Sequence, residues 1–397
     1  MSFNVKEKHL QAAEKIVGEI GSGRQPAPVD FKAFWQDNEW AVDDPWAKDC
    51  PQLPLGIARM SSECVFDELG IPEDWHRLTH DEQYRYDLNR KYNDFSEQIV
   101  GRRLLNEQPE QASRKQPEVK SLHDLFEAKN EWHTWSYWLR QSADNPDELA
   151  ALLDRVENRL EELPDFLFPA NLAQEKTRLA DEGLSLQSYR GQRGPITFAM
   201  SVYGVENLIY LIIDNPTLAA RFRDTIIKSM LEIARVIDEE AGYTHDSAPH
   251  GWTWADDNCC NLNAEMYEFF GYPILKAIFD RYSPGPEDTR GQHSDSAMSH
   301  LLQVLGKLDL TWTNFGPTLT VEEIRRHLPR AVIHGQLAPF TFSRNERVNM
   351  VAEALRDFEM SKEKRGVVFS TAGSINNGSR LSGLRLIMHT IQRYCRY

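Results

Sequence analysis

Gly291-Gln-His-Ser-Asp295, Leu308-Asp-Leu-Thr-Trp-Thr-Asn-Phe315, Ala331-Val-Ile-His-Gly-Gln-Leu337 and Gly366-Val-Val-Phe-Ser-Thr371 are four short runs, the last two mostly apolar, in the last third of the chain. Helical spacing fills the gaps between them, and Thr320-Val-Glu-Glu323 opens one helix with a capping-box pattern. The alternation extends back to residue 164. Strands are predicted at 166–169, 194–200 and, more weakly, 250–254, with helices over 216–241 and 263–282. Strands that alternate with helices pair in parallel through right-handed crossovers. Seven or eight such units predict an α/β fold of the (β/α)8 TIM-barrel type. No glycine-rich phosphate loop follows any of the strands, which counts against a nucleotide-binding sheet.

Outward from that core the chain changes character. Residues 1–50 read as a helical, aromatic N-terminal extension. Helical spacing covers 3–20, a breaker cluster follows at 21–28, and then come Phe31, Phe34, Trp35, Trp40 and Trp46. So many aromatics predict packing against the main body or a second subunit. Residues 51–397 form the barrel, with 51–60 as a short buried strand ending near Arg59. A helical insertion is expected at about 76–162. Within it, helices are predicted at 80–106, 121–142 and 146–162, with a polar linker at 106–120. Trp132, Trp135 and Trp138 fall at a three-residue spacing that predicts one buried helical stripe.

Composition excludes several function classes. The 397 residues hold 45 basic and 60 acidic side chains, a formal charge of −15. No basic excess exists to release counterions from nucleic acid or to bind an anionic membrane. The longest compact apolar run, Leu208-Ile-Tyr-Leu-Ile-Ile213, is far below a membrane span. The first residues lack a signal peptide's apolar stretch, so a cytoplasmic protein is expected. Five cysteines without a CxxC pair read as reduced structural thiols.

A barrel places its chemistry at the C-terminal ends of the strands. His293 and Asp295 are two apart, so on a strand both side chains enter one cavity. There they would bind a divalent metal or act as an acid–base pair; equally, Asp295 would cap the next helix while His293 is tied into the wall. His334 and Gln336 share the same spacing around a glycine, and Asn314 ends its own strand. Asp256-Asp257 offers oxygens after the weaker strand, or simply caps a helix. Tyr203 follows the strand expected at 194–200. The loop 372–379, with Ser374 and Asn376, is rich in small residues and suits a phosphate or carboxylate. Arg59, Arg190, Arg193, Arg290, Arg344 and Arg380 are expected near this mouth, where a few would select an anionic substrate.

Three stretches carry a resemblance. Gly194-Pro-Ile-Thr-Phe-Ala-Met-Ser-Val-Tyr-Gly204, Cys259-Cys-Asn-Leu-Asn-Ala-Glu-Met-Tyr-Glu-Phe-Phe-Gly-Tyr-Pro-Ile-Leu-Lys276 and Ala331-Val-Ile-His-Gly-Gln-Leu-Ala-Pro339 resemble, in order and spacing, the uroporphyrinogen decarboxylase superfamily. The resemblance covers about 190–395 well and 50–75 weakly. It implies a (β/α)8 fold, a frequent homodimer, and either decarboxylase or zinc-dependent methyltransferase activity, the latter serving corrinoid proteins or thiols. Arg59 matches the first arginine of the decarboxylases' substrate-binding stretch, but the second is missing. Thr371-Ala-Gly373 stands where their Gly-His-Gly would be. Tyr203 stands for their pocket tyrosine. Against the methyltransferase branch, His293 matches the histidine of His-x-Cys, Asp295 replaces the thiolate, and the later cysteine falls near Ala372. The pattern implies a harder nitrogen-and-oxygen metal site (zinc or similar) on His293 and Asp295, with Asp257 or His334.

From these residues the expected function is methyl transfer or lyase chemistry on a small anionic or corrinoid-linked substrate. His293, Asp295 and Tyr203 would be catalytic. Arg59, Arg193, Asn314, His334, Gln336, Ser374 and Asn376 would bind substrate. A tetrapyrrole decarboxylase needing no metal and a non-catalytic tetrapyrrole or corrinoid carrier stand as alternatives.

Overall fold

A computed structural model describes residues 4–21, 26–56, 64–109, 111–187, 190 and 192–397. Its strands are β1 (Lys129–His133), β2 (Ser136–Arg140), β3 (Trp252–Ala255), β4 (Arg290–Ser294), β5 (Trp312–Phe315), β6 (Val332–His334) and β7 (Val367–Val368). The chain divides into two compact units. The first holds Met1–Pro109, His293–Leu302 and Thr311–Tyr397, and the second holds Glu110–Gln292 and Gln303–Leu310.

In the first unit β5, β6 and β7 pair in parallel, with Thr313 beside Ile333 and Ile333 beside Val367. Leu55 adds a parallel bridge to Phe369, supported by Gly56 N–H donating to the Phe369 carbonyl at 2.8 Å. The segment expected as the first strand therefore lies beside the last, although they come from opposite ends of the chain. A barrel requires that adjacency of its first and last strands. Helix Leu381–Tyr394 packs against both Arg347–Ser361 and Glu82–Val100. Leu384, Ile387, Met388 and Ile391 recur at helical spacing and are fully buried; each such side chain contributes about 1.5–3 kcal/mol of burial free energy.

The aromatic extension is part of this core. Asp30 caps helix Phe31–Asp43 by accepting from Ala33 N–H. Phe34 and Trp35 are buried, and the Trp35 indole donates to the Val100 carbonyl at 2.8 Å. Helix Glu7–Ile20 packs along Arg347–Ser361, where Lys8 and His9 both meet Glu359.

The second unit is mainly helical. Phe126, Phe198, Phe222 and Phe270 form a chain of ring contacts at 5.1, 6.2 and 5.7 Å between its helices. Three expectations are corrected here. The strand expected at 166–169 overlaps the end of helix Leu163–Leu167, and that at 194–200 is helix Pro195–Tyr203. Each helix carries proline in its first turn, where a missing N–H costs nothing. The helix expected over 121–142 is a short helix, Leu122–Leu125, followed by the β1–β2 hairpin. Its tryptophans are not core: Trp135 and Trp138 are 57% and 56% exposed. Aromatic and Thr residues favour the pleated ribbon, and the three-residue spacing has no helix to act on.

Candidate functional site

His293 and Asp295 sit at the C-terminal end of β4, within the first unit. Alternation brings both side chains to one face, with His293 Nε2 2.9 Å from Asp295 Oδ1. Asn314, at the end of β5, fixes the other side of the ring. Its amide nitrogen donates to the His334 carbonyl at 2.6 Å and the Thr371 carbonyl at 2.9 Å. Both amide hydrogens are thereby used, so Asn314 Oδ1 faces His293 Nδ1 at 2.7 Å as an acceptor. Nδ1 carries the proton. In neutral His293 the lone pair on Nε2 then confronts a carboxylate oxygen, and two acceptors at that distance need a proton or a cation between them.

The surroundings of Asp295 are shaped to hold it there. Ser374 N–H donates to its Oδ2 at 3.4 Å. Burial pushes the Asp295 carboxyl up, but the hydrogen bond and charge of His293, with Ser374, outweigh this and hold it below the usual range. A Cβ on Gly373 would lie 2.6 Å from Asp295 Oδ1, and one on Gly316 would lie 2.5 Å from the Asp295 carbonyl oxygen. Gly373 also has φ +102°, so only glycine lets the last loop close on the carboxylate. The side chains of His293 and Asp295 remain 24% and 42% exposed, which leaves the pair open to a ligand.

Behind the site, three buried charges of helix Arg347–Ser361 clamp the segment after β6. Asp357 accepts from Gln336 N–H at 2.8 Å and Arg356 donates to the Gln336 carbonyl at 2.7 Å. Glu353 accepts from Ala338 N–H at 2.7 Å and from the Thr341 hydroxyl at 2.8 Å. Burial, partly offset by Arg356 and these donors, pushes the Glu353 carboxyl up to about 7. The segment so held presents the His334 carbonyl to Asn314. These residues were not singled out in the sequence. Their signal was present: charges at 353, 356 and 357 interrupt the apolar face of a helix.

The remaining expected site residues of the first unit do other things. Gln336 is fully buried, and its amide nitrogen donates to the Gly316 and Leu319 carbonyls. The His334 ring lies against Trp312 at 5.2 Å, and burial lowers its pKa to about 4, so it is neutral. The Asn376 carbonyl accepts from the Ser379 hydroxyl at 2.8 Å. The loop expected to cradle an anion already receives a carboxylate of the chain: Asp67 takes Gly378 N–H, while Glu68 takes Leu381 N–H at the start of the helix that follows. Several arginines of the shortlist are structural. Arg190 meets Asp238, Arg290 donates to the Ser283 carbonyl, and Arg380 donates to the Asp67 carbonyl. Arg59 lies outside the described residues.

Three expected residues belong to the second unit. Asp257 opens a 3-10 turn after β3 and its charge acts on Arg193, whose guanidinium donates to Ser201 Oγ at 3.2 Å. Tyr203 is buried, its ring edge-on to Phe222 at 6.4 Å. The neighbour Asp256 is fully buried and accepts from Thr197 N–H at 2.7 Å. Burial, opposed by that hydrogen bond, raises its carboxyl to about 7. A Cβ on Gly194 would lie 2.4 Å from the Asp256 Cβ, so glycine is needed for this close approach.

A polar site at the C-terminal ends of parallel strands is where α/β-barrel proteins place their chemistry. The family model for uroporphyrinogen decarboxylase (URO-D) matches residues 188–394, just over half of the sequence, and the chain belongs to that family. Its fold class is that family's (β/α)8 barrel, with a helical region ahead of it. Among solved structures, a methyltransferase from Methanosarcina mazei is similar at 13% identity and a TM-score of 0.49, covering 85% of this chain and 93% of that one. No curated protein matches.

Proposed function

We propose that this chain is an enzyme that runs methyl transfer or lyase chemistry at His293 and Asp295, with a divalent cation such as zinc held by both. The observation that supports this is the approach of Nε2 and Oδ1 to 2.9 Å while Asn314 holds the proton on Nδ1. A histidine whose distal nitrogen is fixed by a hydrogen-bond partner is the usual state of a metal ligand. The donor set is nitrogen and oxygen, which suits several divalent ions rather than a thiolate-selective one. When bound, such an ion would polarise a substrate oxygen or activate a nucleophile.

In this reading Asn314 and Ser374 N–H position the pair for a small anionic or corrinoid-linked substrate. A corrinoid protein in the cytoplasm is the proposed partner. No single helix among the described residues is long and apolar enough to cross a membrane.

The test is metal content by mass spectrometry after incubation with zinc, cobalt or manganese and removal of excess. Near-stoichiometric metal in the wild type, lost in His293→Ala and Asp295→Ala, supports the proposal. A wild type that retains no metal sinks the metal reading. The second reading, a metal-free tetrapyrrole decarboxylase or carrier, rests on the same pair with a proton between its members. There, His293 would be an imidazolium at neutral pH in NMR spectra, and added tetrapyrrole would shift in visible absorbance on binding.

A further inference from the structure

His334 takes no part in the His293–Asp295 contact, but its ring stands on the same face of the sheet. In the parallel register Trp312 lies beside Val332 and Thr313 beside Ile333. Side chains alternate along a strand, so Trp312 and Asn314 share one face with Val332 and His334. Thr313 and Ile333 point the other way and are fully buried. Asn314 reaches His293 from the shared face, while Trp312 and His334 beside it are only half-buried. The indole and imidazole rings meet at 5.2 Å and 46°, so they form a corner rather than one flat wall. The polar atoms of this corner are unspent. Among the described residues none hydrogen-bonds either ring nitrogen of His334 or the indole N–H of Trp312. The rings of His9, His293 and His389 are tied instead, to Glu359, to Asn314 and Asp295, and to the Pro28 carbonyl.

We propose that this corner holds a flat, uncharged end of the substrate: a planar ring or conjugated group lies on the Trp312 indole, and a hydrogen-bonding atom at its edge meets a ring nitrogen of His334. This rests on the proposed function in one respect, that substrate enters on the Asn314 face. Geometry selects the shape. A flat group stacks on an indole and turns its edge to the second ring, and a few such polar contacts fix the orientation of a ligand. An aliphatic chain would cover the indole but bring nothing to the nitrogens. Chemistry selects the polarity. A neutral imidazole offers one N–H donor and one lone pair, and the indole adds a donor. Burial lowers the pKa of His334 to about 4, so the ring meets its partner uncharged. It can donate to a carbonyl or accept from an amide or hydroxyl, but it lacks the charge that would attract a carboxylate. Polar atoms left without protein partners in a half-buried corner are completed by water or by a ligand. Any anionic group of the substrate therefore sits away from Trp312 and His334.

The test uses benzamide as the probe, cyclohexanecarboxamide as its puckered analogue and benzoate as its charged one. Each is titrated into the isotope-labelled full chain, kept metal-free in EDTA, while the side-chain NMR signals of Trp312 and His334 are followed. Trp312→Leu and His334→Phe assign those signals. Benzamide is expected to bind the wild type with a dissociation constant of about 10 mM or tighter, the ordinary efficiency of so small a ligand. The two analogues should bind at least about fivefold more weakly, one for want of stacking and the other for want of an uncharged edge. Each variant should weaken benzamide by about the same factor. His334→Phe keeps a flat ring, so its loss reads the nitrogens rather than the packing. The selectivity of the wild type does not depend on either variant folding. No shift of Trp312 or His334 with benzamide overturns the proposal and leaves the corner to water. So does either analogue binding as tightly as benzamide, or benzamide binding unchanged in either variant. Because the protein is metal-free throughout, a chain that retains no metal but keeps the selectivity fails the proposed function alone. A chain that retains metal without the selectivity fails this proposal alone.

Discussion

At the residue scale, Asn314 is the side chain on which the site turns. It was expected to touch substrate; the structure makes it the group that chooses which nitrogen of His293 is protonated. Asn314→Ala should leave the fold intact and lower metal affinity about 10–100-fold, read by competition with a chromophoric chelator. Asn314→Leu should do the same, and an unchanged affinity in both would remove the tautomer argument. Gly373 is the second such position. Gly373→Ala places a methyl group within 2.6 Å of Asp295 Oδ1 at φ +102°. A destabilisation of about 1–3 kcal/mol is expected in urea unfolding, together with weaker metal retention. Glycine in a loop is legible in any sequence; that this one faces the carboxylate of residue 295 is not.

At the scale of elements, helix Arg347–Ser361 has two tasks. Its apolar positions pack, and Glu353, Arg356 and Asp357 hold the backbone after β6. Arg356→Met leaves Asp357 buried without its cation, and the expected loss is about 3–5 kcal/mol. Glu353 makes the stability depend on pH. Its carboxyl is raised from 4.5 to about 7, so the folded chain holds this proton more tightly than the unfolded one. That contribution is complete below about pH 4.5 and is lost as pH rises through about 7, some 3 kcal/mol in all. Urea midpoints measured from pH 5 to 8 should therefore decline more steeply in the wild type than in Glu353→Gln. Equal slopes would show that Glu353 is ionised throughout.

The elements also show how far pattern reading reached. The runs near 250–254, 291–295, 308–315, 331–337 and 366–371 overlap β3 to β7; β6 and β7 lie in the most apolar of them, as buried parallel strands do. The runs at 166–169 and 194–200 look alike in composition and are helices. A short apolar run carries no period by which strand and helix can be told apart, and proline in the first turn was the discriminating signal. The tryptophan hairpin failed for the opposite reason. A three-residue spacing was present, but nothing in the sequence says that the segment is left outside the core.

At the scale of the whole molecule, self-association should be visible as a linkage effect. Two folded copies that bind each other stabilise the native state by mass action, so the melting temperature should rise with protein concentration. A rise of several degrees between 1 and 100 µM is expected if the chain forms the homodimer that the resemblance implies. A concentration-independent melt of the wild type would argue for a monomer.

The amino-acid sequence by itself determined the fold class, the family and the pairing of His293 with Asp295. Those follow from periodicity, motif order and the two-residue repeat of a strand, all of which are local. Only the tertiary structure decided what surrounds that pair. Asn314, Gly373 and Ser374 reach it from strand ends that meet it only after folding. Asp67 takes a backbone N–H of the loop that composition offered to an anion. Trp135 and Trp138 of the hairpin face water, against the buried stripe that their spacing predicts. Contacts between residues distant in the chain depend on the register of whole elements, and no short stretch of sequence contains that register.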